Sequence, residues 1–297
     1  MTAVPMVDSP TSSANQPFLA RRQRFAAVGS TNDVVREWLA DGTPEVCLAV
    51  ADEQTAGRGR SGRSWLAPAG RALLLSLGFR PVWLAPDRVW RLAAIASLAM
   101  ADAAEEVAEL ADGAVRLKWP NDLVIEAVDG RAVAGGAVAG PRISDNPTRV
   151  VLKVAGVLGE TDGLGGDDPR VVIGLGINAD WAAADFPPEL AVAMTSLREA
   201  SGGRPIDLAT LLDAFLGRLE ARVQALRAGR FDAADWTDRQ LTTGRTVLLQ
   251  SADRGTESVH ALGVDSLSGA LVVADADAHG GERSVLSGEI VHLRVGV

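Results

Sequence analysis

The spacing of hydrophobic residues along the chain changes repeatedly between the period of a helix and the period of a strand. Apolar positions at helical spacing predict four helices, at 30–42, 86–110, 207–229 and 233–240. Ser30 is a favourable N-cap, and Asp33 follows it at the spacing of a capping box. Runs rich in β-branched and aliphatic residues predict strands, at 46–51, 73–79, 115–118, 123–126, 150–158 and 171–177. The alternation predicts an α/β domain.

The pattern changes at two places. Residues 127–149 are rich in Gly, Ala, Pro and Asn, and we expect an extended loop there with a hairpin stem. From Gly244 onward, Gly, Asp and Ser turns separate short predicted strands at 246–250, 258–264, 270–273 and 284–293. These strands predict a small barrel-like β-domain. We therefore expect a flexible tail over 1–20, an α/β domain over 21–241 and a β-domain over 242–297.

Composition narrows the possible functions. Lys and Arg number 29 against 38 Asp and Glu, so the net charge of −9 disfavours non-specific binding to nucleic acids or anionic membranes. The single cysteine, Cys47, lies in a predicted strand and resembles a buried small residue more than a nucleophile. One cysteine fits a reducing cytoplasm. No apolar run is long enough to cross a bilayer, and the three His show no metal-ligand spacing.

A Gly/Arg segment between two predicted strands carries the densest chemical signal. Its glycines allow the backbone to approach a ligand closely, and its arginines supply planar cations suited to phosphate or carboxylate. It lacks the Gly-Lys-Ser/Thr ending of a Walker loop. A solvated RNA-binding patch and a merely mobile loop are the alternatives. The residues concerned are Gln54, Gly57, Arg58, Gly59, Arg60, Gly62, Arg63 and Trp65.

Three shorter motifs follow. Lys118-Trp-Pro-Asn-Asp122 predicts a turn that presents Asn121 and Asp122 to a ligand, or a structural Asx-turn beside a core tryptophan. Lys153 lies in an apolar strand, so its ammonium must snorkel, pair with a carboxylate or meet an anionic ligand. The glycines of Gly174-Leu-Gly-Ile-Asn178 permit close approach by a ligand or another part of the chain, which alone is a weak signal.

Taken in order, these motifs resemble those of the biotin protein ligase family. The resemblance covers about residues 24–296 and is carried by Ser30-Thr-Asn32, Gln54, the GRGRSGR loop with Trp65, Lys118-Trp-Pro-Asn-Asp122, Lys153-Val-Ala-Gly156, Gly174-Leu-Gly-Ile-Asn178, Thr195-Ser-Leu197 and Ser287–Arg294. It implies a mixed-sheet α/β catalytic domain related to class II aminoacyl-tRNA synthetases, followed by a small SH3-like barrel.

The resemblance also implies a reaction. ATP, with the Mg²⁺ that it carries, would activate biotin as biotinyl-5′-AMP. The biotinyl group would then pass to a lysine of a biotin carboxyl carrier domain. The segment before the core is too short for a winged helix-turn-helix, so we expect the monofunctional type, with no specific DNA partner, no membrane partner and a cytoplasmic location.

The site residues follow from the same resemblance. Catalysis is assigned to Lys153, Arg58, Arg60 and, with least support, Asp122. Biotin binding is assigned to Ser30, Thr31, Asn32, Gln54, Gly57, Arg58, Arg60, Lys153 and Gly156. Adenylate binding is assigned to Arg60, Arg63, Trp65, Lys118, Asn121, Lys153 and Asn178. No metal ligand is assigned.

The chain departs from the family pattern between Asp122 and Lys153, where the family has a short hairpin. A second segment, 130–135, also ends in Ala-Gly but lacks the lysine, so we place the site at Lys153 and regard about 127–149 as an insertion. Two alternative functions are a lipoate–protein ligase or octanoyl transferase of the same superfamily and a non-catalytic nucleotide- or RNA-binding module.

Overall fold

The computed structural model describes residues 18–128, 131–132, 149–275 and 281–293. Within these ranges, eight strands form the larger sheet. They are β1 (Arg21–Phe25), β2 (Cys47–Ala51), β3 (Ala72–Phe79), β4 (Val115–Lys118), β5 (Asp122–Val128), β6 (Arg131–Ala132), β7 (Arg149–Asp162) and β8 (Arg170–Asn178). Their spatial order is β1-β2-β3-β8-β7-β5-β4, with β6 paired to β5. β1 and β2 are parallel and the other neighbours are antiparallel, which confirms the prediction of a mixed sheet.

Helices cover the two faces of this sheet unequally. The helices are α1 (Thr31–Ala40), α2 (Trp90–Val107), α3 (Pro188–Ala191), α4 (Leu197–Ala200), α5 (Leu208–Arg227) and α6 (Ala233–Asp238). α2 and α5 contribute to the large core on one face, while α1 packs its Val35, Trp38 and Leu39 on the opposite face near β2. Because both faces are covered there, β2 and β3 are buried at every position.

The face occupied by α1 continues across β8 and β7, and there it carries small residues. The register pairs Ser76 with Gly174, and it pairs Gly176 with both Leu74 and Gly156. Neighbours in register lie on the same face of a sheet. Glycines at these positions let side chains lie close against the sheet, and the candidate site lies on this face.

An ion-pair network joins the helices on the opposite face, and its Arg239 also donates to Val115 O of the edge strand β4 at 3.1 Å. Arg239 donates to the buried carboxylate of Glu105 at 2.9 Å and to Asp102 at 2.6 Å. Arg222 donates to Asp102 at 2.7 Å and to Asp235 at 2.8 Å. The network therefore ties α2, α5 and α6 together on the face opposite to α1.

The C-terminal residues form a second, antiparallel sheet of five strands. These are β9 (Thr246–Ser251), β10 (Gly255–Val264), β11 (Leu271–Asp275), β12 (Gly281–Val285) and β13 (Glu289–Leu293), in the order β12-β11-β10-β9-β13. The sheet has a core of its own, to which Trp119 of the larger domain belongs. The predicted boundary at 241/242 falls between α6 and β9, and the domain limits stay a prediction.

Several sequence predictions differ from the structure. Ser30 caps α1 without a side-chain hydrogen bond, and the Asp33 carboxylate binds arginines, so the prediction of a capping box is wrong. Pro86 lies in a separate 3₁₀ turn, and α2 begins at Trp90. The strand predicted at 284–293 is two strands, β12 and β13, and the sequence pattern missed β1, α3 and α4.

The segment at 127–149 contains the predicted hairpin stem. β5 pairs with β7 as far as Val128 opposite Arg149, so the ends of the expected insertion belong to paired strands. Most of the remainder of that segment lies outside the described residues, as do residues 1–17 of the predicted tail.

Candidate functional site

A cavity of about 610 Å³ lies on the α1 face of the large sheet. The start of α1, the Gly/Arg loop, β5, β7, β8, the segment 190–194 and β13 surround it. It brings together nearly all of the residues that the sequence singled out: Ser30, Thr31, Asn32, Gln54, Arg58, Arg60, Arg63, Trp65, Lys118, Asn121, Asp122, Lys153 and Gly156. These residues come from segments far apart in the chain, and the folded sheet collects them into one site.

One end of the cavity is a buried polar network at the N-terminus of α1. Gln54 Oε1 accepts hydrogen bonds from the backbone N–H of Thr31 at 2.7 Å and from its hydroxyl at 3.0 Å. The Ser76 hydroxyl lies 2.7 Å from that of Thr31 and donates to Asn32 Oδ1 at 2.5 Å. Asn32 Nδ2 is buried and has no partner among the described residues. This end therefore offers an unused amide donor to a polar ligand.

Glycines on the sheet accommodate two of the side chains around the cavity. A Cβ at Gly174 would lie 2.2 Å from Asn32 Oδ1, and a Cβ at Gly176 would lie 2.6 Å from the Trp65 ring. A Cβ at Gly156 would lie 3.1 Å from Trp65. The sequence predicted close approach at Gly174 and Gly176, and the approaching groups are the side chains of Asn32 and Trp65.

Two lysines converge on one carboxylate near the middle of the cavity. Lys153 Nζ lies 2.6 Å from Asp122 Oδ1, and Lys118 Nζ lies 3.9 Å from Asp122 Oδ2. Burial lowers the pKa of Lys118. Lys153 Nζ also lies 5.4 Å from the centroid of the Trp65 ring, within range of a cation–π contact. Of the outcomes considered for Lys153, the structure shows pairing with a carboxylate.

A segment that the sequence analysis did not assign fixes the backbone of Lys153. Its N–H donates to Ala193 O at 2.8 Å, and its carbonyl accepts from Thr195 N at 2.9 Å. Beyond the end of β8, the segment 193–195 thus takes the place of a neighbouring strand. Leu190, Val192 and Met194, within and just before this segment, give the cavity an apolar wall. The only sequence signal was the Thr195-Ser-Leu197 match.

The Gly/Arg loop is a closed turn rather than an irregular coil. Trp65 N donates to Gly57 O at 2.9 Å, and Gly59 N donates to Arg63 O at 2.7 Å. Ser61 and Gly62 at its tip have positive φ, of 56° and 72°. The loop thereby holds its three arginines at the rim of the cavity.

Those arginines have different surroundings. Arg58 forms a bidentate pair with Asp33, with both N···O distances at 2.7 Å, and this pairing raises its pKa. Arg63 lies 2.7 Å from Glu289. Within the part of the chain that the structure describes, no hydrogen bond or ion pair holds the Arg60 guanidinium, and burial lowers its pKa. Arg60 is the cation best placed to meet an added anion.

The C-terminal sheet contributes directly to the cavity, which the sequence analysis missed. Glu289, Ile290 and Val291 of β13 line it. Trp119 Nε1 donates to Gly269 O at 3.1 Å, and the ring is 4% exposed within the second core. The core role considered for this tryptophan is therefore correct, although the core belongs to the smaller sheet.

Two assigned residues lie behind the cavity. Gly57 does not line it, but a Cβ there would lie 2.6 Å from Trp65 O, so glycine is needed to close the loop. Asn178 is fully buried, and its Nδ2 donates to Thr195 O at 3.1 Å. Asn178 therefore supports the segment that fixes Lys153, and its side chain does not reach the cavity. Asn121 lines the cavity, while its Nδ2 donates to Val157 O at 2.8 Å.

The lysine content was a signal that the motif analysis overlooked. Lys118 and Lys153 are the only lysines in the sequence, and every other basic side chain apart from histidine is arginine. Both lie beside Asp122. Since a compact ammonium and a planar guanidinium are not interchangeable, two lysines in one cavity indicate a place where a point charge is required.

Comparison with known proteins agrees with this geometry. The model of the biotin/lipoate A/B protein ligase family matches residues 25–178. The chain belongs to this family. A biotin–[acetyl-CoA-carboxylase] ligase of Mycobacterium tuberculosis is 31% identical over 273 residues, which cover 91% of this chain and 88% of that protein.

Other members of the biotin/lipoate A/B protein ligase family give the same picture. A bifunctional ligase/repressor of Bacillus subtilis is 30% identical over 80% of this chain, and the match spans 65% of that protein. The solved biotin protein ligase of Aquifex aeolicus, in complex with biotin and ATP, superposes with a TM-score of 0.68 and 25% identity. That superposition covers 93% of this chain and 99% of the Aquifex chain.

Three further observations concern possible sites elsewhere. None of the helices in the described ranges is long and apolar enough to cross a membrane. In the same ranges, no group of three or more His, Cys, Asp or Glu side chains is arranged to hold a metal ion. Cys47 is buried, and burial raises the pKa of its thiol to about 11. This agrees with its expected role as a small core residue.

Proposed function

We propose that this protein is an ATP-dependent biotin–protein ligase, which forms biotinyl-5′-AMP and transfers the biotinyl group to a lysine of a biotin carboxyl carrier domain. The observation that carries the proposal is the cavity itself. It joins a polar pocket at the start of α1 to a cationic centre around Lys153 and Arg60. The names of the relatives favour biotin over lipoate, and a concave cavity favours a small-molecule site over an RNA-binding patch.

The first step needs cations more than it needs a base. The biotin carboxylate is ionised at neutral pH and attacks the α-phosphorus of ATP, so that an acyl–O–P bond forms and pyrophosphate leaves. Lys153, Lys118 and Arg60 supply positive charge where two anions must meet. Mg²⁺ carried by ATP would offset further phosphate charge.

The polar network on α1 suits the biotin ring. Asn32 Nδ2 and Trp65 Nε1 are both buried donors without a partner among the described residues. The carbonyl oxygen of the ureido ring is the kind of acceptor that would satisfy such donors. Gly156 and Gly176 let the Trp65 ring lie close against the sheet, where it forms one side of the cavity. Biotin would then extend from α1 toward Lys153, with its carboxylate at the cationic centre.

The adenylate has its own candidate contacts. Arg63 and Asn121 line the cavity near Lys118, and the apolar segment around Val192 and Met194 offers a surface for a purine. Asn178 acts indirectly, by supporting that segment through Thr195.

The second step transfers the acyl group to an amine. The ε-amine of the acceptor lysine attacks the acyl carbon, AMP leaves, and the amine loses a proton as the amide forms. Asp122 is the carboxylate closest to the Lys153 ammonium, at 2.6 Å, and we assign it the role of orienting the incoming amine or accepting its proton. A carrier domain is the partner that this chemistry requires.

The finer structural assignments belong to the same proposal. We assign the catalytic domain to the fold shared with class II aminoacyl-tRNA synthetases and the five-stranded C-terminal sheet to an SH3-like barrel. The Arg63–Glu289 pair, at 2.7 Å, supports a role for that sheet in holding the Gly/Arg loop.

One assay tests the function against its alternatives. The full chain is incubated with ATP, a biotin carboxyl carrier domain and either biotin or lipoate, and covalent transfer is followed by mass spectrometry. Biotinylation of the carrier is expected. Transfer of lipoate alone would identify the lipoate-ligase alternative. If neither biotin nor lipoate led to pyrophosphate release, both ligase functions would be contradicted.

Variants separate the two steps. Asp122→Asn is expected to retain biotin-dependent pyrophosphate release but to slow transfer to the carrier, since acid–base groups typically contribute about 10²–10⁴-fold. Arg60→Gly is expected to release biotinyl-AMP into solution, where it can be measured directly. Undetectable release from that variant would contradict retention by Arg60, and unchanged transfer by Asp122→Asn would remove Asp122 from the second step.

A further inference from the structure

Two neighbouring arginines of the Gly/Arg loop differ in what their guanidinium groups contact. Both Nη atoms of Arg58 donate to Asp33, each at 2.7 Å, and Glu160 Oε1 lies 3.5 Å from Nη2. No such partner holds Arg60 among the described residues. A guanidinium binds a carboxylate or phosphate through the same fork of N–H groups. In Arg58 that fork is already occupied by the protein's own carboxylates.

The pair belongs to a cluster that joins three elements. Arg36 donates to Asp33 Oδ1 at 2.8 Å and also to Glu160. Arginines and carboxylates therefore alternate between the loop, α1 and β7. The hydrogen bond from Arg58 holds the pKa of Asp33 below its usual range, so this carboxylate remains ionised at neutral pH. Solvent reaches all four side chains, so any one pair contributes modestly while the network contributes more.

The cluster acts on a loop that is otherwise an internally closed turn. The bonds from Trp65 N to Gly57 O and from Gly59 N to Arg63 O define that turn. Arg58 lies inside it, two positions before Arg60. Because the turn is closed by its own hydrogen bonds, fixing Arg58 to α1 and β7 also fixes the backbone from which Arg60 extends over the cavity.

We propose that Arg58 anchors the Gly/Arg loop, that Asp33 and Glu160 are its positioning residues, and that Arg60 is the loop arginine that contacts the anionic intermediate. This proposal rests on the proposed function, because the ligand is taken to be biotinyl-AMP. It revises the assignment of Arg58 to catalysis, since the side chain acts through the loop rather than on the reacting atoms.

The two possible roles of Arg58 predict opposite effects of removing Asp33. If Arg58 binds the ligand, neutralising Asp33 frees its guanidinium, and the adenylate is held equally well or more tightly. If Arg58 is an anchor, neutralising Asp33 loosens the loop, and the adenylate escapes faster. A loss of packing alone would lower stability without selectively raising escape.

The experiment measures the rate at which biotinyl-AMP leaves the full-length protein, alongside pyrophosphate release. Asp33→Asn and Arg58→Ala are each expected to raise the escape rate of biotinyl-AMP about fivefold. In the double variant the escape rate is expected to be no higher than in either single variant. Glu160→Gln tests the same anchor from β7 and should raise escape less. Asp52→Asn is the matched control, because Asp52 pairs with Arg24 at 2.6 Å and does not line the cavity.

The outcomes are distinguishable. Unchanged or slower escape from Asp33→Asn, or fully additive effects in the double variant, would overturn the anchor while leaving the ligase function in place. An unmodified protein that forms no biotinyl-AMP would overturn the proposed function and this proposal together. Faster escape from the control variant, equal to that of Asp33→Asn, would overturn the specific role of Asp33.

Discussion

Replacing Lys153 by methionine keeps the length of the side chain and removes its ammonium. That ammonium lies 2.6 Å from Asp122 and within the cavity, where the biotin carboxylate and the α-phosphate are proposed to meet. Loss of one preorganised charge contact to a transition state typically lowers the rate about 10²–10³-fold, which corresponds to about 2.7–4 kcal/mol. We expect a loss of this size in biotin-dependent pyrophosphate release.

The effect on stability is expected to be smaller. The Lys153 side chain is 26% exposed and that of Asp122 is 18% exposed, so solvent partly screens the pair. Asp122 also keeps Lys118 at 3.9 Å in the variant. A charge-assisted hydrogen bond contributes about 1.5–3 kcal/mol when buried, and we expect the lower end of that range. The variant should therefore lose much more of its rate of pyrophosphate release than of its free energy of unfolding.

The assay combines pyrophosphate release with urea denaturation of the same preparation. Arg24→Met is the control, since it breaks an ion pair of the same N···O length on β1, away from the cavity. The control should keep its rate. A Lys153→Met protein that releases pyrophosphate at a near-normal rate would refute the role of Lys153. If the loss of rate were fully explained by the fraction of unfolded protein in the preparation, the electrostatic argument would be refuted.

Three further predictions concern packing, reactivity and the helix network. Gly176→Ala places a Cβ 2.6 Å from the Trp65 ring, so we expect the free energy of unfolding to fall by about 1–3 kcal/mol and the KM for biotin to rise. Gly217→Ala is the control, because its Cβ would meet nothing within 4 Å, and it should leave the KM unchanged. Because burial raises the pKa of Cys47 to about 11, the native protein should not react with Ellman's reagent at about pH 8, while the denatured chain should give one thiol. Arg239→Met breaks three ion pairs, of 2.9, 2.6 and 3.7 Å, and should lower the free energy of unfolding by about 3–5 kcal/mol with a normal rate per folded molecule; a loss under about 1 kcal/mol would contradict the importance of the network.

The sequence determined those parts of the protein whose signal is local. Strands β3 and β8 are continuous apolar runs, and α5 has an apolar stripe with an Asp207 N-cap that accepts from two backbone N–H groups. The Gly/Arg loop and the turn before Asp122 were identified because glycine, proline and clustered charge restrict the chain at short range. Such signals need no knowledge of distant residues.

Tertiary structure decided which residues meet. Asp33 was assigned to a capping box because it lies three residues from Ser30, yet its carboxylate binds Arg58. Trp119 was considered a core residue beside its local turn, and the core that it joins belongs to the C-terminal sheet. In both cases the partner lies far away in the chain, where no local pattern identifies it.

The site itself depends on the same kind of distant contact. Lys153 pairs with Asp122 of β5, and its backbone groups form hydrogen bonds with the segment 193–195. Arg63 pairs with Glu289 of β13. No periodicity within one element encodes a contact between elements, because it arises only when the sheet order brings β5, β7 and β8 together and packs the C-terminal sheet beside them. The sequence therefore determined the chemical groups available to this protein, and the sheet order determined which of them share the cavity.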